Sequence, residues 1–221
     1  VKACCYKFCH VFITISSIII MTVADKISRR VERMGAGAVF TRADFLDLGT
    51  TDNVGMILSR LQTAGKIRRI SRGLYESPRT HPVLGKLSPH PEAIVKATSR
   101  RSGTRHQPSG AQAANLLQLT EQVPARVVYQ TDGPSKTITE GHRTIQFQHR
   151  SPRRMAAAGR MSGLVFAALR EIGKANVTQE RVFGLRSLLS GRDRRRLIKD
   201  LPLAPAWMHP HLRWIASEEG Q

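Results

Sequence analysis

The stretch from Asn53 to Tyr75, "NVGMILSRLQTAGKIRRISRGLY", carries three textures in succession. Val54, Ile57, Leu58 and Leu61 recur at spacings of three and four, which marks one buried face of a helix. Gly65 ends that helix. "KIRRI" then sets isoleucines among lysine and arginine, and "SRG" leads into "LYES". Two short strands around a turn at Gly73 account for that pattern. The stretch therefore predicts a helix and a hairpin in tandem, with apolar positions facing a core and basic ones left over.

Working upstream, Ala24, Ile27, Val31 and Met34 form the stripe of a first helix, stopped by Gly35 and Gly37. In "VFTRADFLDLG", Thr41 is placed to cap a short second helix, Asp44 stands at its third position, and Phe45 and Leu46 point inward. Gly49 ends it. The third helix opens at "TTDN", with Thr51 as the expected cap and Asp52 favourable at the positive end of the helix dipole.

Helix, short helix, helix, hairpin is the order of a winged helix-turn-helix over residues 21–78. In that fold the third helix enters the major groove and the hairpin lies along the flanking backbone. Reach then assigns roles. Thr51 and Asn53 at the start of the third helix, and Ser59 and Arg60 on its outer face, are candidates for base-edge or phosphate contacts. Lys66, Arg68, Arg69 and Arg72, in or beside the wing, are candidates for phosphate. The competing reading uses the same residues: a charged hairpin is also the solvated edge of a module that docks a protein.

Downstream, "ESPRTHPVLGKLSPHPE" reads as a Pro-rich connector (79–91) without room for helix. Residues 92–221 then mix helix and strand. Pro91 to Thr98 is helical, Ser109 caps the small-residue helix "GAQAANLLQL", and "ARVVYQT" is a buried strand. "GPSKTITEGHRTIQFQHR" holds two strand-like pieces around a turn at Gly141. Helical patterning resumes at Arg153, with stripes at Leu164, Val165, Ala168 and Leu169 and at Val182, Leu185, Leu188 and Leu189. A charged helix, "RDRRRLIKDL", follows Ser190 as its cap. The fold class is α+β: an N-terminal winged helix followed by a larger mixed α+β domain with too few strands for a doubly wound sheet.

The chain has 35 Lys and Arg against 16 Asp and Glu, a formal charge of +19. The excess is spread along the whole length, so the folded body itself is positive. Such a surface suits a polyanion, because each neutralised phosphate releases condensed counterions. No basic amphipathic helix with an aromatic face points to a membrane. Cys4, Cys5 and Cys9 lie at the extreme N-terminus and none follows, so the body carries no disulfide framework and suits a reducing cytoplasm. Residues 1–20 are apolar around Val11 to Ile20, too short to span a bilayer comfortably. They run directly into an amphipathic helix. We expect a mis-called upstream start or a dispensable extension rather than a targeting signal, and Met21 stands where a translation start would place the following helix near the N-terminus. A metal site from Cys4, Cys5, Cys9 and His10 lacks the usual ligand spacing.

Catalytic signatures are missing. No histidine pair stands at metal spacing beside a glutamate, and no phosphate loop of the Walker type occurs. Ser109-Gly110 lacks the flanking glycine of a nucleophile elbow. No close Asp-x-Asp pair exists to hold catalytic magnesium. His209-Pro210-His211 reads as a surface loop. The basic groups Arg150, Arg153, Arg154 and Arg160, and Arg192 to Lys199, read as solvated faces that could add phosphate contacts or dock an acidic protein. We therefore expect no enzyme and no cofactor.

Two stretches, "LSRLQTAGKIRRISRGLY" and "SGAQAANLLQLTEQVPARVVY", together with "FTRADFLDLG", resemble the AbiEi-like antitoxins of bacterial type IV toxin–antitoxin systems. The resemblance runs from Val23 to the last tryptophan. It implies a transcriptional regulator whose winged helix binds double-stranded DNA in its own promoter. It also implies a C-terminal domain that counters a nucleotidyltransferase-type toxin without a lasting complex. On the matching positions, Arg60, Lys66, Arg68, Arg69 and Arg72 inherit DNA binding. Ser109, Gly110, Asn115, Leu116, Gln122 and Pro124 match a recurrent stretch, for which packing of a small-residue helix against the following strand is the simplest account. The alternative is a non-enzymatic module that holds a partner protein without binding DNA.

Overall fold

A computed structural model describes residues 21–83, 85–141 and 143–217. The expectations for residues 1–20, including the cysteine cluster, lie outside the described residues.

α1 (Val23–Met34) begins at a reciprocal cap. The Thr22 hydroxyl accepts the Asp25 N–H at 3.2 Å, and the Asp25 carboxylate accepts the Thr22 N–H at 3.0 Å. Ile27 and Val31 are buried, but Met34 is exposed, because the last turn runs past the core before Gly35. β1 (Val39–Thr41) follows, and then the short helix expected, which takes 3-10 geometry at Arg42–Phe45. With three residues per turn only Phe45 reaches the core, and Leu46 is left exposed. α2 (Thr51–Thr63) buries Val54, Ile57 and Leu58, with Leu61 packed at the edge.

β2 (Arg68–Ser71) and β3 (Leu74–Glu76) are the hairpin, joined by a turn with Gly73 at φ +73°. β1 adds to its far edge, so the antiparallel sheet runs β1-β3-β2. Successive residues of a strand face opposite sides, and here both sides are covered. Phe40 and Tyr75, cross-strand partners with stacked rings 6.4 Å apart, join Ile27, Phe45, Leu58 and Ile67 in one core. Val39 and Leu74 point the other way, into a second core.

That second core takes its remaining members from beyond the Pro-rich segment. They are Ile94, Val95 and Ala97 of α3 (Pro91–Ser102), with Tyr129, Ile138, Ile145 and Phe147 of a four-stranded sheet. The expected boundary at residues 78/79 is thus crossed by a continuous apolar core. The connector itself is not featureless: β4 (Arg79–His81) and β5 (Gly85–Leu87) pair as a hairpin.

The four-stranded sheet comprises β6 (His106–Pro108), β7 (Val127–Thr131), β8 (Lys136–Glu140) and β9 (Arg143–His149), in the order β6-β7-β9-β8. β7 and β9 are parallel; the outer pairs are antiparallel. A third core is helical. It joins α4 (Gly110–Leu116), α5 (Met161–Ile172), α6 (Gln179–Leu188), α7 (Gly191–Lys199) and α8 (His209–Ala216). Residues 151–159 are turns rather than the start of a helix, and Leu188 is exposed rather than part of its stripe. His209-Pro210-His211 forms the first turn of α8 rather than a loop, since proline is compatible with a helix start.

The architecture is a mixed α+β fold, as expected. No described helix is long and apolar enough to cross a membrane.

Candidate nucleic-acid interface

α2 turns one face to the core and leaves the other uncovered. Thr51, Met56, Ser59, Arg60 and Thr63 are exposed, and a shallow depression of about 500 Å³ runs past Met56, Ser59, Arg60 and Thr63. The cap is Thr50 rather than Thr51: the Thr50 hydroxyl accepts the Asn53 N–H at 3.4 Å. Thr51 is the first helical residue, so its hydroxyl is released from capping. Asn53 is half-buried beside Gly49. Sequence reasoning passed over one neighbour of this face. The guanidinium of Arg42 lies across the helix at Gly55, 3.4 Å from where a Cβ there would stand, an ordinary contact. A glycine in mid-helix, where it weakens the helix, was the available signal.

In the hairpin the candidates divide. Lys66, Arg69 and Arg72 are exposed, and none of them forms an ion pair among the described residues. Arg60 of α2 is in the same position. Arg69 spends one donor on the Ser71 carbonyl at 3.3 Å. Arg68, by contrast, turns to the opposite face of the sheet. Its Nε meets Glu76, its direct cross-strand partner, and its Nη2 lies 2.7 Å from Glu140 at the end of β8. Glu76 and Glu140 are both buried. Arg68 is therefore committed between two carboxylates and is withdrawn from the set able to face phosphate. The cause is the alternation of a strand: Ile67 and Arg68 must point to opposite faces, and Ile67 is claimed by the α1/α2 core. Burial pushes the Glu76 carboxyl above its ordinary value, against the pull of the Arg68 guanidinium; Glu140 adds to the rise.

α3 braces this unit from behind. Arg100 Nε donates to Asp44 at 2.9 Å and its Nη2 to the Val39 carbonyl at 3.1 Å. Arg101 Nη1 donates to the Arg72 carbonyl at 2.7 Å, directly at the wing turn. The same Asp44 carboxylate accepts the Thr41 N–H at 2.7 Å, so one acid both starts the 3-10 helix and anchors α3.

The C-terminal motif is structural in every contact it makes. The Ser109 hydroxyl caps α4 by accepting the Gln112 N–H at 3.3 Å, and Asn115 Nδ2 donates to the Thr120 carbonyl at 3.4 Å. The partner of the small-residue helix is α5 rather than the following strand. A Cβ on Gly110 would come within 2.3 Å of Glu171 Oε2 and 3.2 Å of the Ala167 carbonyl. Small residues are needed because the two helices approach so closely. Leu116 is exposed, and Gln122 and Pro124 border an open groove of about 710 Å³ beside α5. Two exposed members of the basic groups are also engaged within the chain: Arg160 at 2.8 Å and Arg196 at 3.2 Å pair with buried Asp200. Among the described residues no group of three His, Cys, Asp or Glu side chains is arranged to hold a metal.

No curated protein and no solved structure matches the chain. A family model described as "Family of unknown function (DUF6088)" matches residues 26–197, most of the length. The chain belongs to that family.

Proposed function

We propose that this protein is a cytoplasmic DNA-binding regulator whose residues 21–78 act as a winged helix on its own promoter. The observation that carries the reading is the uncovered face of α2, Thr51, Ser59 and Arg60, followed by a hairpin whose Lys66, Arg69 and Arg72 have no acidic partner among the described residues. The order helix, strand, short helix, helix, hairpin and the formal charge of +19 support it. Phosphate contacts fall to the wing and supply affinity; base reading falls to Thr51 and Asn53 at the start of α2. By its resemblance to AbiEi-like antitoxins, the C-terminal domain counters a nucleotidyltransferase-type toxin. An electrophoretic shift on the DNA upstream of the protein's own gene tests the first part. The combined Lys66→Ala, Arg69→Ala and Arg72→Ala variant should lower the slope of log K against log salt by about 3. An unchanged slope would remove the wing from the interface.

The second reading, a module that holds a partner protein without DNA, draws on α6 and α8. Phe183 is 61% and Trp214 42% exposed, with ring centres 6.4 Å apart, and Arg186 lies over the indole. Aromatic residues with an arginine are enriched in protein interfaces. A stable complex with a nucleotidyltransferase encoded next to this gene, in a protein that shifts no DNA, would favour this reading over the first.

A further inference from the structure

The wing turn, the C-terminal end of α3 and the start of β8 enclose a cavity of about 370 Å³. Its lining brings together Arg72, Arg101 and Lys136 with Ser71, Ser102 and Thr137, and no Asp or Glu is among its described lining residues. The three cations come from three different elements, and none forms an ion pair among the described residues. Such a gathering is unfavourable in the empty protein, since like charges held in a partly desolvated space repel one another.

The site is built rather than incidental. Arg101 is held by its 2.7 Å bond to the Arg72 carbonyl, and its guanidinium occupies the space beside Gly73 that a Cβ would invade at 3.3 Å. Lys136 is seated with its Nζ 5.0 Å from the centre of the Phe147 ring. Burial lowers the pKa of its ammonium, and the charge of Arg101 lowers it further. The hydroxyl of Ser71 makes no hydrogen bond among the described residues, so it has a donor to give. Two guanidinium groups, an ammonium and a free hydroxyl around one space match an anion with several acceptor oxygens and more than one charge.

We propose that this cavity is a phosphate seat, with Arg72, Arg101 and Lys136 as its charged ligands. The phosphoryl group can come from a phosphomonoester free in solution or from the backbone of a duplex lying along the wing. Because Arg72 belongs to the wing and Lys136 to the second sheet, an occupied seat ties the wing turn to the C-terminal domain. The inference stands on this geometry and does not require the DNA-binding reading.

The test uses the full chain and Lys136→Met, which keeps an apolar stem over Phe147 and removes the charge. Calorimetric titration with inorganic phosphate and with adenosine monophosphate, at constant ionic strength and without DNA, should show saturable binding. The variant should weaken it about tenfold or more, the loss of one charge-assisted contact. Binding of free phosphates would identify a small-molecule site. If they do not bind but the variant lowers the salt slope of duplex binding by about 0.9, the seat holds a backbone phosphate. Arg101→Gln, at an exposed position outside the hairpin set, repeats both arms should Lys136→Met fold poorly. The proposal is overturned if free phosphates show no saturable binding that these substitutions weaken, and duplex binding either is absent or keeps its slope in them. A protein that binds phosphate but shifts no DNA would sink the regulator reading and leave the seat standing.

Discussion

Arg68 Nη2 lies 2.7 Å from a carboxylate oxygen of Glu140, joining the first strand of the N-terminal hairpin to the last residue of β8. With Glu76 on its other side, the arginine is a charged rivet between the two sheets. Removing it leaves two buried carboxylates without their cation. Arg68→Met should therefore destabilise the protein by about 3 kcal/mol, read by urea or thermal unfolding, since breaking a buried pair exposes the full desolvation cost of what remains. Duplex affinity and its salt slope, measured where the variant is fully folded, should stay as in the wild type. A lost slope with unchanged stability would return Arg68 to the phosphate-facing set.

The pH dependence of that defect has a definite sign. Glu76 takes up its proton more readily in the folded protein than in the unfolded chain, so its ionisation opposes folding as pH rises through the raised value. The deficit of Arg68→Met should be largest at neutral pH and shrink as the solution is acidified toward and below the carboxylate range. A deficit independent of pH would mean the arginine contributes by packing alone.

Arg69→Ala should behave in the opposite way. The side chain is exposed and its one hydrogen bond is to a local carbonyl, so the unfolding midpoint should shift by less than about 0.5 kcal/mol. The slope of log K against log salt for duplex binding should fall by about 0.9.

Asp200 ties α5 to α7. Burial raises its pKa, but the hydroxyl of Ser162 at 2.8 Å and the guanidinium groups of Arg160 and Arg196 outweigh that, and the carboxyl is held below its ordinary value. A depressed folded value contributes stability that is present above the unfolded carboxylate range and lost as pH falls through the folded value. Asp200→Asn should cost about 2 kcal/mol at neutral pH, with the gap to wild type closing in acid. Parallel unfolding curves at several pH values would expose a gap that fails to close.

Gly163 on α5 has no room for a side chain. A Cβ there would stand 2.3 Å from the Ala157 carbonyl oxygen and 2.9 Å from Gln107 Oε1. Gly163→Ala should destabilise by about 3 kcal/mol, although alanine is the better helix former, because backbone must move to admit it. A neutral or stabilising result would show that the turns at residues 151–159 yield easily.

Much of the N-terminal unit was legible because its signals are local. The stripe of α2, the glycine at the hairpin turn and the capping role of Asp44 all depend on residues within a few positions of one another. The misreadings share a cause. Thr51 for Thr50 as cap is a one-residue ambiguity between two equivalent hydroxyls in "TT". Leu46 and Met34 were placed inward by a period that stops applying where an element changes to 3-10 geometry or ends. Small residues in α4 announced close packing, but not that the partner is α5, which begins 51 residues after α4 begins, rather than the following strand.

The sequence by itself determined most of the helices and the N-terminal hairpin, the excess of basic residues and their place on that hairpin, because periodicity, capping and charge are properties of neighbours along the chain. Only the tertiary structure decided which cations remain available. Arg68 and Arg69 are adjacent and chemically identical, yet one is fixed between Glu76 and Glu140 and the other meets solvent. That division follows from strand alternation: Arg68 points to the face covered by α3 and β8, and Arg69 to the other face, where it is exposed. The phosphate seat has the same origin: Arg72, Arg101 and Lys136 are remote in sequence, and the core that closes over Val39 and Leu74 brings them to one cavity.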